Sequence, residues 1–145
     1  MPPETVSFHF QHPTFRLRHR TATRAWLHRC THAESTRIGA LHYQFCSDAY
    51  MLDANRQFLQ HDYLTDILTF PDHSAEGIAG DILISVDRVR ENARQHKETT
   101  HQELLRVMAH GALHLIGYDD KTAEHQHNMR TAEERWISFW DYTAP

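Results

Sequence analysis

The chain has 145 residues, a mass of 17.1 kDa and a formal net charge of −4. Its 40% apolar and 23% charged residues are typical of a globular protein, and a chain of this length can bury a core without disulfide bonds. A net negative charge excludes a protein whose whole surface attracts nucleic acid, so any nucleic-acid contact must come from a local basic patch.

We expect one domain over residues 1–145, located in the cytoplasm. No apolar run approaches the ~20 residues that span a bilayer, and the N-terminus has neither a basic leader nor an apolar core. Two cysteines suit neither a disulfide framework nor a metal site built from cysteine alone. We therefore predict that Cys30 and Cys46 are buried free thiols.

The first two thirds of the chain predict interspersed strands and helices. The strand segments alternate apolar and polar residues or are rich in β-formers, and the helical segments carry apolar residues at helical spacing. In chain order, the predicted elements are strand 6–10, helix 15–30, strand 38–46, a helix with Asp48 as its N-cap that runs to about Leu59, a strand from Asp66 to Phe70 closed by Pro71, and strand 77–86.

The last third of the chain is predicted to be helical. Asp87 is the expected N-cap of helix 87–96, and Thr100 with Glu103 forms a capping box that opens a helix ending at Gly117. That helix is apolar around most of its circumference, so we expect it to be the buried central helix. A last helix is predicted over 122–140. The whole pattern favours an α+β fold, with a mixed sheet of about four strands packed against about five helices.

The central helix carries a histidine pair with metal-ligand spacing. His110 and His114 are four residues apart, so both imidazoles project from one face of the helix. Gly117 allows the chain to turn back, and Asp120 three residues later can close the same face. This spacing is typical of the metzincin zinc site, and a carboxylate is an accepted zinc ligand. His125 and His127 are the alternative third ligands.

The residue after the first histidine argues against peptide hydrolysis. Zinc proteases of similar spacing place a glutamate there as general base, whereas this chain has Gly111. We expect the glycine to leave space for a bulky substrate beside the metal. A metal-dependent peptidase is therefore a weaker alternative, and a non-catalytic ribosome-assembly factor with a structural metal is another.

The residues from 110 to 119 closely resemble the signature of the YbeY family of metal-dependent endoribonucleases. Upstream segments are similar to other family motifs in the same order and spacing: Asn55-x-x-Phe58 and Asp62, Thr65 to Pro71, and Gly80 to Ile84. The resemblance implies cleavage of single-stranded RNA in ribosomal RNA maturation, including 3′-end processing of the small-subunit RNA, and in ribosome quality control. It also implies a ribosomal RNA precursor and the ribosomal subunit as partners, and one zinc ion or another divalent transition metal as cofactor.

Two positions depart from the family pattern. The third ligand is usually histidine where this chain has Asp120, and an arginine is common where this chain has Leu59, with His61 replacing a following lysine. Arg56, one helical turn before Leu59, is our candidate for the missing catalytic guanidinium, and a solvated surface arginine is the alternative. The predicted catalytic residues are thus His110, His114, Asp120 and Arg56.

A basic segment near the N-terminus is the candidate RNA-binding surface. Arg16, Arg20 and Arg24 recur every four residues within predicted helix 15–30, which contains no acidic residue. The planar guanidinium group suits phosphate oxygens, although a solvated helix face would have the same composition.

Overall fold

The computed structural model describes residues 5–60 and 64–141. Within them it confirms the predicted α+β fold, with one four-stranded mixed sheet and five helices. The elements are β1 (Thr5–Gln11), α1 (Arg20–Ala33), β2 (Ile38–Cys46), α2 (Asp48–Leu59), β3 (Ile67–Pro71), β4 (Ile78–Ser85), α3 (Val86–His96), α4 (Thr100–Ile116) and α5 (Ala123–Ser138).

The sheet places β1 and β3 at opposite edges. The strand order is β1-β2-β4-β3, with β1, β2 and β4 parallel and β3 antiparallel to β4. Three inter-strand spacings separate the two edges, a distance of about 14 Å. Pro71 fits the end of an edge strand, because the N–H that proline lacks is not needed by a neighbouring strand on that side.

The two faces of the sheet are covered differently. Tyr43, Phe45 and Ile82 point toward the larger core cluster, which also contains buried residues of α1, α3, α4 and α5. The Tyr43 hydroxyl donates to the Met108 carbonyl oxygen of α4 at 2.9 Å. A second cluster, on the opposite face, packs α2 against the sheet. Helix α4 is therefore the buried central helix, as predicted.

Helix α1 begins five residues later than the sequence predicts. The ring of Phe15 packs against Phe45, with centroids 5.4 Å apart, and its backbone N–H donates to His12 Nδ1. His19 then adopts a left-handed conformation, with φ 57°, immediately before the helix. Because Phe15 packs against the core, the residues before Arg20 do not adopt the helical conformation, and Arg16 lies outside α1.

Three helix caps also differ from the sequence prediction by one or two residues. The N-cap of α2 is Ser47, whose hydroxyl accepts the Tyr50 N–H at 3.1 Å, and the predicted cap Asp48 is the first residue of the helix. The N-cap of α3 is Ser85, whose hydroxyl accepts the Arg88 N–H at 3.1 Å, while Asp87 accepts the backbone N–H of Asp48. The N-cap of α4 is Thr99, the residue before Thr100. Since Thr99 and Thr100 are chemically alike, spacing alone could not choose between them.

Two further expectations concern the cysteines and the membrane. Cys30 and Cys46 are both buried and free, as predicted. Across residues 5–60 and 64–141, none of the helices combines the length and the apolar character needed to cross a bilayer.

Candidate metal centre

Helix α4 presents the two predicted histidines to an open cleft beside β3. His110 and His114 are partly exposed, whereas most of the other residues of this part of the helix are buried. The helix ends at Gly117, whose φ of +128° is rarely adopted by other residues, although a Cβ there would meet no atom within 4 Å. Backbone conformation rather than crowding therefore requires glycine at the point where the chain turns back toward the histidines.

Asp120 closes a triad with the two histidines. The two Nε2 atoms are 3.1 Å apart, and Asp120 Oδ2 lies 3.6 Å from His110 Nε2 and 3.8 Å from His114 Nε2. Ligands at 2.0–2.1 Å from a tetrahedral zinc ion would lie about 3.3 Å from one another. The three donor atoms therefore have the spacing that a small divalent cation requires.

The alternative third ligands are not part of this triad. Among the described residues, the donor atoms found within 4.8 Å of one another are those of His110, His114 and Asp120. His125 lies in α5, where its Nδ1 is 2.7 Å from Asp119 Oδ1, and these two residues line a separate cavity. The geometry thus favours Asp120 over His125 and His127.

Glu133 of α5 orients His110. Its Oε2 atom lies 2.6 Å from His110 Nδ1, so the ring donates its Nδ1 proton to the carboxylate and directs Nε2 toward the triad. Carboxylates in this position fix the tautomer of metal-binding histidines and increase their basicity. The sequence alone does not predict a role for Glu133. Its position in the sequence does carry a signal, because Glu133 stands next to the apolar stripe of Met129, Ala132 and Trp136 in the last predicted helix. A carboxylate at such a position is buried and needs a partner.

The environments of the two histidines shift their pKa values in opposite directions. Burial alone would lower the pKa of His110, but the hydrogen bond and charge of Glu133, with the charges of Asp120 and Asp66, raise it above its ordinary value. Burial and the neighbouring His110 lower the pKa of His114. In the metal-free protein, His110 is therefore the ring that holds a proton more strongly.

A second network anchors the loop that carries Asp120. The Tyr118 hydroxyl donates to Glu34 Oε1 at 2.7 Å, and Arg135 donates to Glu34 Oε2 at 3.0 Å. Burial raises the pKa of Glu34, but its hydrogen bonds to Tyr118 and Arg135 outweigh burial and lower it. The ionised Glu34, which caps the end of α1, thus ties the loop to α5.

The cleft around the triad has a volume of about 680 Å³ and is rich in carboxylates. Asp66, Glu103 and Glu133 line it together with Asp120, and Arg106 lies one turn before His110 on α4. Burial raises the pKa of Asp66, an effect that the charge of His110 partly offsets. Arg106 is held by carboxylates, at 3.0 Å from Glu98 and by a short contact to Glu134. The centre is therefore a polar, acidic site open to solvent.

Gly111 does not leave space for substrate, contrary to the sequence analysis. It is buried against the sheet, and a Cβ on it would lie 2.8 Å from Ile82 Cγ2 and 3.0 Å from Ile67 Cδ1. The glycine lets α4 approach β3 and β4 closely. Position 111 thus points away from the cleft, where it cannot supply the general base of a peptidase.

The structure does not bring the predicted arginines to the triad. Arg56 is exposed on α2, which packs on the face of the sheet opposite α4, and it does not line the cleft. Arg16, Arg20 and Arg24 lie along β1, at the opposite edge of the sheet from the cleft. His61 and Asp62 lie outside the described residues.

Comparison with known proteins agrees with the sequence resemblance. Residues 7–141 match the family model described as endoribonuclease YbeY. The chain is 46% identical to an endoribonuclease YbeY of Cytophaga hutchinsonii, over 95% of this chain and 97% of the relative, and 40% identical to that of Flavobacterium psychrophilum, over 93% and 96%. The solution structure of TM1509 from Thermotoga maritima shares the fold, with a TM-score of 0.66 and 24% identity over 93% of this chain and 87% of that one.

Proposed function

Because the chain belongs to the endoribonuclease YbeY family, we propose that it is a single-domain, metal-dependent endoribonuclease that cleaves single-stranded RNA in ribosomal RNA maturation. The observation that carries the proposal is the triad of His110, His114 and Asp120, supported by Glu133 and open to the cleft. We further propose zinc as the metal, ribosomal RNA precursors and the ribosomal subunit as partners, and the cytoplasm as the compartment.

The triad residues would hold the metal ion. Three protein ligands are typical of catalytic rather than structural zinc sites, which use four. When bound, the ion supplies Lewis-acid polarisation of a phosphodiester oxygen and activation of water. His114, whose pKa is lowered, offers a neutral nitrogen at neutral pH, and Glu133 keeps the His110 proton on Nδ1 so that Nε2 remains available.

Other cleft residues would handle protons and charge. Asp66 lines the cleft close enough to His110 and Glu133 for their charges to affect its pKa, and a raised pKa suits a group that exchanges protons near neutral pH. Arg106 brings a guanidinium to the cleft, which the exposed Arg56 does not. The catalytic role of Arg56 that the sequence predicts remains a proposal. For Arg56 to act, α2 would have to rearrange or the RNA would have to contact it outside the cleft.

The alternatives raised by the sequence have no support here. A peptidase of the metzincin type would need its general base at position 111, which is a glycine that faces the sheet. A purely structural metal would suit a site closed by four protein ligands, whereas this triad opens to solvent. The relatives are named endoribonucleases.

The test combines metal analysis with RNA cleavage. Purified protein should contain close to one equivalent of a divalent metal, and chelation should abolish cleavage of a labelled single-stranded RNA until metal is restored. His114→Ala should neither retain metal nor cleave, whereas His127→Ala, an exposed histidine of α5, should do both. Cleavage by the chelated protein, or full metal content in His114→Ala, would overturn the proposal.

A further inference from the structure

The arginines predicted to contact RNA form an ordered row along the β1 edge. The guanidinium carbons of Arg16 and Arg20 lie 5.2 and 4.9 Å from the centroid of the Phe10 ring. That of Arg24 lies 4.9 Å from the Phe8 centroid. Cation–π contacts of this kind hold a guanidinium group over an aromatic face. We call Arg16, Arg20 and Arg24 the β1-edge arginines.

Backbone oxygens position these side chains further. Arg24 Nε donates to the Val6 carbonyl oxygen of β1 at 3.0 Å, and Arg16 donates to the carbonyl oxygen of Phe15 at 2.6 Å. Each guanidinium group has five N–H donors, so most of them remain available to a ligand. The row is therefore partly preorganised, which reduces the entropy lost on binding.

Among the described residues, no acidic side chain neutralises the positive charge of this row. In the part of the chain that the structure describes, no carboxylate forms an ion pair with Arg16, Arg20 or Arg24, and the first turn of α1 contains no acidic residue. Arg106 in the cleft, by contrast, lies within 4.0 Å of Glu98, Glu103 and Glu134. In a protein of net charge −4, the row is a local basic patch.

The row is too far from the triad to bind the phosphates on either side of the cleaved bond. The cleft lies along β3 and α4, whereas the row lies over side chains of β1, and the two edge strands are about 14 Å apart. The two nucleotides joined by the cleaved bond therefore do not reach it.

We propose that the β1-edge arginines are a second RNA surface, which docks the phosphate backbone of a folded RNA away from the bond that is cut. The planar guanidinium fork binds phosphate oxygens in pairs, and contacts with phosphate position a nucleic acid without reading its sequence. A rigid, base-paired element beside the single-stranded target can span the two edges of the sheet and present several phosphates to the row at once. The inference rests on the proposed function, because it assumes that RNA is the substrate.

Two RNAs test the inference: a short single-stranded oligonucleotide containing the cleaved bond, and the same segment joined to a hairpin. Replacing all three arginines by glutamine should raise the KM for the hairpin RNA by about tenfold or more. The kcat for both RNAs and the KM for the oligonucleotide should stay unchanged. For the hairpin alone, the slope of log affinity against log salt should fall by about 0.9 for each lost phosphate contact.

The matched control removes the same charge elsewhere. Arg94→Gln, Lys97→Gln and Arg130→Gln together change three exposed cations of α3, its C-cap and α5. If this triple variant weakens hairpin binding as much as the arginine-row variant, overall charge explains the effect and the inference is wrong. Equal losses for the oligonucleotide and the hairpin would also overturn it, because they would place the row on the path of the cleaved strand.

A lysine variant separates the contribution of positive charge from that of the paired hydrogen bonds. Changing the three arginines to lysine keeps the charge and loses the paired hydrogen bonds, so it should restore most of the salt dependence and only part of the affinity.

Affinity for the isolated hairpin can be measured by fluorescence anisotropy without any cleavage. Loss of hairpin binding therefore tests this surface even if the protein fails to cut RNA, whereas failed cleavage of the oligonucleotide bears only on the proposed function.

Discussion

The two edges of the sheet carry opposite charge and are built by different means. At the β3 edge, Asp66, Glu103, Glu133 and Asp120 crowd around two histidines in a cleft between packed elements. At the β1 edge, arginines that are exposed or half-buried lie over phenylalanine rings, without carboxylate partners in the described residues. An acidic site attracts a metal cation but repels a polyanion, whereas a basic edge attracts the polyanion. The difference suggests that capture of RNA and cleavage of RNA are separate tasks of separate edges.

The largest expected effect comes from changing the third ligand. Asp120→Ala should lose more than about a hundredfold in metal affinity, because loss of outer partners alone typically costs 10–100-fold. Asp120→His should retain the metal, since the Gly117 turn directs position 120 toward the histidine pair whatever donor it carries. Metal content after dialysis measures both, and retention by Asp120→Ala would move the ligand assignment to His125 or His127.

Glu133→Gln should give the next largest effect at the β3 edge. Removing its charge should weaken metal binding by about 10–100-fold and lower the pKa of His110 in the metal-free protein. NMR titration of the His110 ring measures the pKa directly. Glu134→Gln, one residue along on an exposed side chain, is the control and should leave that pKa nearly unchanged.

The same histidine predicts how stability depends on pH without metal. A pKa raised in the folded state means that folding binds protons, so the contribution of His110 is present below its unfolded pKa of about 6.5 and is lost as pH rises through the folded value. The free energy of unfolding of Glu133→Gln relative to the parent should therefore show its largest deficit at low pH. A deficit that grew with increasing pH would contradict this assignment of charge.

Arg106→Gln should destabilise the protein by about 2 kcal/mol, because it removes the guanidinium beside the buried Glu103 carboxylate. Burial raises the pKa of Glu103, although Arg106 lowers it, so removing the arginine should raise that pKa further. The double variant Arg106→Gln/Glu103→Gln should recover part of the loss in denaturant unfolding. If the double variant recovers no stability, the contacts of Arg106 that stabilise the protein are those with Glu98 and Glu134.

Gly111→Ala should have the smallest effect. The new Cβ would crowd two isoleucine side-chain atoms, at a cost offset by the better helix propensity of alanine, so we expect a net loss of about 1 kcal/mol. RNA cleavage should be nearly unchanged, because position 111 faces the sheet rather than the cleft. A large change in KM with unaltered stability would show that the residue lines the substrate path after all.

Local patterns predicted most of the fold and the centre of the site. Strand alternation, helical periodicity and the spacing from His110 to Asp120 are properties of short segments, and the structure agrees with them. Errors of one or two residues at Ser85 and Thr99 arose where neighbouring residues could cap equally well. The late start of α1 depends on Phe15 packing against Phe45, a contact that no local pattern contains.

Long-range relationships account for what the sequence could not predict. Glu133 approaches His110 from another helix, and Glu34 reaches Tyr118 and Arg135 across most of the chain. The separation of the arginine row from the cleft follows from the strand order, which no single segment encodes. Arg56 shows the same limit, because proximity to Leu59 along a helix does not determine which face of the sheet that helix covers.

The Glu34 network also sets when the site can exist during synthesis. The contacts that support the triad join residues from position 34 to position 135, so they cannot all form until helix α5 has left the ribosome. A growing chain cannot complete the contacts that support the triad until the residues of α5 have been made and can pack against α4.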